Sequence, residues 1–186
     1  MSQAVLEIFK KTGALLEGHF LLTSGLHSPH YWEKFSVLQY PEFTEQLCRL
    51  IAKHYKKVNI QLVAGPTTGG VILAYVTARY LRVRSIFAEK EGNRRIFRRG
   101  FQIKPNERVL VVDDIFTTGG SVLEVIDAVK QMGGNVIGAG VLVDRSDKHI
   151  DIGVPLFSCL KSETPTYRPD ECPLCAEGVP LVRPGG

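Results

Sequence analysis

No stretch of this 186-residue chain stays apolar long enough to span a bilayer, which takes about 20 residues in a helix. Met1-Ser2-Gln3-Ala4 lacks the basic start and apolar core of a secretory signal. A cytoplasmic protein is expected, with its four cysteines reduced. Net charge is in short supply: 23 Lys+Arg against 19 Asp+Glu leave only +4, too little to imply nucleic acid by itself. Internal repeats and low-complexity tracts are missing, which excludes a solenoid. Two common phosphate motifs are missing as well. There is no G-x-x-x-x-G-K-[ST], so no P-loop, and no G-x-G-x-x-G, so no dinucleotide fingerprint. What is present is a globular composition, 44% hydrophobic and 23% charged, in a chain long enough for one domain with a real core.

Hydrophobic periodicity alternates between strand and helix. A short helix through Val5, Leu6, Ile8 and Phe9 ends at Gly13, and short strands and turns fill Ala14 to Val37. Pro41 suits the first turn of a helix that places Phe43, Leu47, Leu50 and Ile51 on one face. Five short apolar runs follow, "IQLVAG", "RSIFA", "RVLVV", "NVIGAGVLVD" and "PLFSCL", with helices at "GGVILAYVTARYL" and "SVLEVIDAVKQMGG" between them. Strand–helix–strand alternation predicts an α/β fold, a central parallel sheet with helices on both faces. Ligands in such sheets bind beyond the carboxyl ends of the strands. The expected division is a hood over about 1–40, a core over about 41–160 and a surface-wrapping tail over 161–186, all one domain.

"VLVVDDIFTTGGSV", residues 109–122, concentrates the chemistry. Asp113 and Asp114 end an apolar strand, and Thr117, Thr118, Gly119, Gly120 and Ser121 lead into a helix. A helix amino terminus offers unpaired N–H groups and a positive dipole end, and glycines let an anion approach them. The turn therefore suits a phosphate. The acids suit hydroxyls, or the magnesium that accompanies phosphate. A ribose 5-phosphate satisfies both halves. A helix cap from Thr117 or Thr118 is expected besides, but it does not account for adjacent acids and paired glycines.

The same stretch closely resembles the phosphoribosyl pyrophosphate motif of type I phosphoribosyltransferases, and the match runs without a gap from Val109 to Ser121. Within that family, "FLLTSGLHSPHYWE" resembles the opening signature of orotate phosphoribosyltransferases, and "VLVDRSD" the place of an arginine for the orotate carboxylate. "GPTTGG" sits where the family has its pyrophosphate loop, and the tail "CPLCAEGVPLVRPG" resembles that of many bacterial members. The resemblance implies a small N-terminal hood and a mobile basic hairpin on the type I core. It implies transfer of ribose 5-phosphate to orotate in a homodimer, with Mg2+ carried by phosphoribosyl pyrophosphate and not ligated directly by the protein. Asp113, Asp114, Ile115, Phe116, Thr117, Thr118, Gly119, Gly120, Ser121, Thr67, Thr68, Gly69, Lys90, Arg94 and Arg95 are the expected phosphoribosyl pyrophosphate contacts. Ser24, Gly25, Thr117 and Arg145 are expected to hold orotate, and Lys90, Asp113 and Asp114 to act in catalysis. "EKEGNRRIFRRGF", flanked by Gly92 and Gly100, is expected to close over the neighbouring subunit's site with Lys90, Arg94, Arg95, Arg98 and Arg99. This chain has Thr23 where many relatives have a lysine, no lysine in 65–70, and no histidine in the lid, which shifts the cationic burden to the lid and the metal.

Other readings are a purine phosphoribosyltransferase, which has no use for Arg145, and a phosphoribosyl pyrophosphate sensor, which needs no lid. The lid lacks the interleaved aromatics of a nucleic-acid surface. Cys172-Pro-Leu-Cys175 is half of a zinc ribbon with only Cys159 as a nearby third sulfur, and Cys48 reads as core. A turn-forming thiol pair without stoichiometric metal is expected there, with His19, His27 and His30 at the surface or the site rim.

Overall fold

The computed structural model describes residues 2–22, 24–162 and 164–184. Its elements are α1 (Ser2–Lys11), β1 (Leu15–Leu21), β2 (His27–Trp32), α2 (Lys34–Leu38), α3 (Pro41–His54), β3 (Leu62–Pro66), α4 (Gly69–Leu81), β4 (Arg84–Glu91), β5 (Arg94–Phe97), β6 (Arg108–Phe116), α5 (Gly120–Gln131), β7 (Asn135–Asp144), β8 (Leu156–Lys161) and the single turn α6 (Pro173–Ala176). No helix among the described residues is long and apolar enough to cross a membrane.

The main sheet has the order β5-β4-β3-β6-β7-β8. All neighbours are parallel except β4 and β5, which form an antiparallel hairpin. The five apolar runs of the sequence are its five parallel strands. From β3 the chain steps outward to β4, whereas from β6 it steps the other way to β7 and β8. The order therefore reverses between β3 and β6, and a crevice opens there at the carboxyl ends. Parallel strands need crossovers, and α4 and α5 supply them on opposite faces. One core lies between the sheet and α1, α3 and α4, built on Leu47, Ile51, Leu73, Leu110 and Val112. The other lies under α5, built on Val109, Val111, Val125, Ile126 and Val129. Both faces are covered, so the strands are apolar throughout instead of alternating.

Two glycines inside β7 mark close packing. A Cβ at Gly138 would lie 2.7 Å from the Tyr55 ring, and one at Gly140 2.5 Å from Ile51. Helix α3 thereby sits tight on β7, and the Tyr55 hydroxyl donates to the carbonyls of Ala139 (2.9 Å) and Pro155 (3.1 Å).

The antiparallel pair β1-β2 forms a separate two-stranded sheet. The tail returns to it from the far end of the chain. Val182 bridges Phe20 and Tyr167 bridges His27, with Leu21 N–H donating to Val182 O and Val182 N–H to His19 O. The tail thus supplies a pair of outer partners to the β1-β2 hairpin.

Candidate active site at the strand-order reversal

Asp113 and Asp114 are 5% and 3% exposed. Adjacent buried acids would repel, but alternation along β6 sends them to opposite faces of the sheet. Asp113 faces α5, where its Oδ2 accepts from Ser121 Oγ at 2.5 Å and its Oδ1 from the Asp114 N–H at 2.8 Å. Asp114 faces α4: its Oδ1 accepts from the Ile115 N–H at 2.7 Å, and a Cβ placed on Gly69 would collide with its Oδ2. That collision explains the glycine in "GPTTGG". The loop after β3 has to approach the acid more closely than any side chain permits. Gly65 and Gly70 are excluded from having a Cβ by each other's backbone and by Pro66, so the loop folds back on the end of its own strand.

The turn after β6 differs from expectation in one respect. The residue capping α5 is Gly119, at φ 77, and no side chain caps the helix. Neither Thr117 nor Thr118 does so, and both are exposed. A Cβ at Gly119 would strike the Phe116 ring at 2.9 Å, and the positive φ disfavours any other residue besides. Helix α4 starts in the same way at Thr68, without a side-chain cap. Two helix amino termini with uncapped N–H groups therefore meet at the crevice, their dipoles favouring negative charge.

Arg145 follows β7 directly. Its N–H donates to Phe116 O at 2.7 Å, which sets it one strand across from the acids. Its Nε is buried and without a hydrogen-bond partner. Burial pushes the guanidinium below its ordinary value, offset in part by Asp147 and by Tyr31 of β2. Asp144 is not its partner. The Asp144 carboxylate accepts from Lys161 Nζ (2.8 Å), Ser146 N–H (2.9 Å) and Ser146 Oγ (2.7 Å). Burial would raise the Asp144 carboxyl, but those hydrogen bonds and the lysine charge outweigh it and hold it below the usual range. Lys161 and Ser146 were not singled out in the sequence, because a lysine ending the last strand carries no motif.

The basic hairpin is an extension of the sheet with Gly92 at its two-residue turn, not at its flank. Its cations do not act alike. Arg94 and Arg98 pair with Glu91, and Arg99 with Glu89. Arg95 turns inward, 11% exposed, pairing with Glu124 of α5 at 3.2 Å and donating to Thr67 O at 3.2 Å. It ties the loop after β3 to its own subunit's helix. Lys90 is exposed and makes no ion pair among the described residues. Ser24 and Gly25 lie exposed between β1 and β2, with Gly25 at φ 81. The crevice thus gathers Asp113, Asp114, Thr67, Thr68, Gly69, Thr117–Ser121 and Arg145. Among the described residues, no side-chain hydrogen bond or ion pair ties Ser24, Lys90 or Arg94 to it. Thr23 lies outside the described residues.

The cysteines and histidines depart furthest from expectation. His19 and His27 are 2% and 5% exposed, and they face Cys172 and Cys175. Cys159 is instead a core thiol that donates to Leu47 O, and burial pushes it and Cys48 up to about 12.

The sequence pattern of the phosphoribosyl transferase domain matches residues 36–170. Among curated relatives, the orotate phosphoribosyltransferase of Caldanaerobacter subterraneus subsp. tengcongensis is 52% identical over 98% of this chain and 96% of its own length. That of Thermotoga maritima is 50% identical over 96% of each. The crystal structure of orotate phosphoribosyltransferase from Aeropyrum pernix superposes with a TM-score of 0.70 at 29% identity, covering 84% of this chain and 93% of that one. With its reversal-point crevice, its acid pair and its arginine beyond β7, the chain belongs to the phosphoribosyl transferase family, in the group of the orotate phosphoribosyltransferases.

Proposed function

We propose that this protein transfers ribose 5-phosphate from phosphoribosyl pyrophosphate to orotate, giving orotidine 5′-phosphate and pyrophosphate, in cytoplasmic pyrimidine synthesis. The observation that carries the reading is the meeting, at one crevice, of buried Asp113 and Asp114, the glycine loop pressed on Asp114, and the uncapped start of α5. The N–H groups at Thr117–Ser121 take the 5′-phosphate, and the acids accept from the ribose hydroxyls. Arg145 takes the orotate carboxylate, for which its buried, unpartnered Nε and its freedom from Asp144 prepare it. An orotate nitrogen then attacks C1 of the ribose as the bond to pyrophosphate breaks, through an oxocarbenium-like state. Mg2+ carried by phosphoribosyl pyrophosphate would supply charge neutralisation on the leaving group, and the Asp113 and Asp114 carboxylates are the oxygen donors that would hold it.

The proposal includes a homodimer in which each basic hairpin closes over its partner's crevice and excludes water. Two features support it. Among the described residues, Lys90 is the hairpin cation not engaged by a local acid, and α4 presents Ile72 and Tyr75, the latter 65% exposed, as an apolar face suited to a second copy.

A base panel tests the reading. Purified protein, magnesium and phosphoribosyl pyrophosphate are offered orotate, uracil, adenine, guanine and hypoxanthine. Turnover of orotate alone is expected. Turnover of a purine without orotate would overturn the substrate assignment, and no turnover of any base would favour a sensor.

A further inference from the structure

We propose that His19, His27, Cys172 and Cys175 form a tetrahedral zinc site that clasps the carboxyl-terminal tail onto the hood. One ligand atom from each residue lies within 4.8 Å of all the others. The separations are 2.9 Å between His19 Nε2 and His27 Nδ1, and 3.5 and 3.7 Å from His19 Nε2 to the sulfurs of Cys172 and Cys175. Cys175 Sγ to His27 Nδ1 is 3.3 Å. Zn–N bonds of about 2.05 Å and Zn–S bonds of about 2.3 Å give a tetrahedron with edges of about 3.3 Å (N to N) and about 3.6 Å (N to S). These four separations lie within about 0.5 Å of those edges, the N–N one being shorter than its edge, so the side chains are spaced as ligands of one small ion.

Three features of the fold direct these groups inward. First, the β1-β2 register slips between Glu17 and Phe20, so β1 carries one extra residue at Gly18–His19. Such a bulge re-aims a side chain, and His19 and Phe20 are both buried although adjacent. Second, His19 Nδ1 lies 2.8 Å from Val179 O. A carbonyl only accepts, so the proton is on Nδ1 and the Nε2 lone pair faces the cluster, the outer hydrogen bond typical of a metal-bound histidine. Third, the short turn at Pro173–Ala176 brings both sulfurs to the same side, and neither is in a disulfide.

Two thiolates and two neutral imidazoles suit zinc better than magnesium or calcium, which take oxygen. Binding releases one proton from each thiol to solvent, and the resulting site has no net charge, as burial of three of its four ligands requires. With all four positions filled by protein, the site is structural and leaves no place for substrate.

The whole chain, purified under reductant without chelators, is expected to carry one zinc per chain by elemental analysis, and the Cys172→Ser/Cys175→Ser variant none. Loss of the clasp can leave that variant unfolded, so wild-type protein stripped of metal is also titrated with cobalt. Intense visible bands of tetrahedral cobalt and a near-ultraviolet sulfur-to-cobalt transition should saturate at one equivalent. Stripped, reduced wild-type protein that takes up neither metal to one equivalent would overturn the site. So would a weak octahedral cobalt spectrum, undiminished zinc in the double variant, or a Cys172–Cys175 disulfide in protein purified anaerobically. One iron in place of zinc would overturn the choice of metal.

Discussion

Arg145 is prepared for an anion by what its neighbours do with their own charges. Lys161 and Ser146 engage Asp144, so the acid adjacent in sequence leaves the guanidinium unneutralised at short range. Arg145→Ala should weaken orotate by about 2–5 kcal/mol, the usual loss for one member of a buried charged pair. Phosphoribosyl pyrophosphate affinity should be nearly unchanged, and calorimetry on each substrate separately checks both halves. Lys161 is half-exposed, so its own contribution to stability is about 1 kcal/mol. The sign of its pH dependence follows from Asp144, whose folded value is depressed. Stability from the pair is complete above the unfolded aspartate value of about 3.9 and is lost as pH falls through the lower folded value. Urea unfolding of wild type and Lys161→Met should therefore differ at pH 6 and converge in acid. A gap that persists below the acid transition would mean that the lysine acts through its packing alone.

At the scale of elements, the parallel strands and both crossover helices were legible because buried strands read as apolar runs, α4 is a long apolar run and α5 is an amphipathic one stopped by Gly133-Gly134. The phosphate turn was legible for a related reason: its residue types have few other uses together. What could not be read was direction. Nothing in "DD" announces that the two acids serve opposite faces, and only strand alternation in a sheet covered on both sides reveals it. The hairpin's cations looked equivalent in sequence, yet cross-strand register sends Arg95 to Glu124 and Arg94 to Glu91. His19 escaped because a bulge breaks the period of two from which its orientation would be inferred. Close approach of elements was visible only as unexplained glycine. Gly138→Ala should force the Tyr55 ring aside and destabilise the fold by about 1–3 kcal/mol, as overpacking does. Denaturant unfolding measures that loss, and turnover of the folded fraction should stay near wild type because the crevice is untouched. Unchanged stability would show that α3 can shift on β7.

At the scale of the molecule, a lid acting in trans makes a quantitative prediction. Asp114→Asn spoils the crevice and leaves the hairpin, whereas Lys90→Ala does the reverse, so each homodimer should be poor. In a mixed dimer one crevice is intact and is covered by an intact hairpin, and the other carries both defects. Random equal mixing should restore about a quarter of native sites. No recovery, with mixed dimers demonstrated by mass, would place the hairpin over its own subunit's crevice or take Lys90 out of its function. The tail's return to the hood has a different kind of consequence, one of timing. His19 and Val179 are 160 residues apart in sequence yet hydrogen-bonded, and contacts of such separation form late because closing the intervening chain is entropically unfavourable. During synthesis the hood hairpin emerges first and its outer partners last. The ribosome will already have released nearly the whole sheet before the strands flanking Ser24 and Gly25 acquire their final support, so the nascent protein passes through a stage with a finished core and an unfinished β1-β2 hairpin.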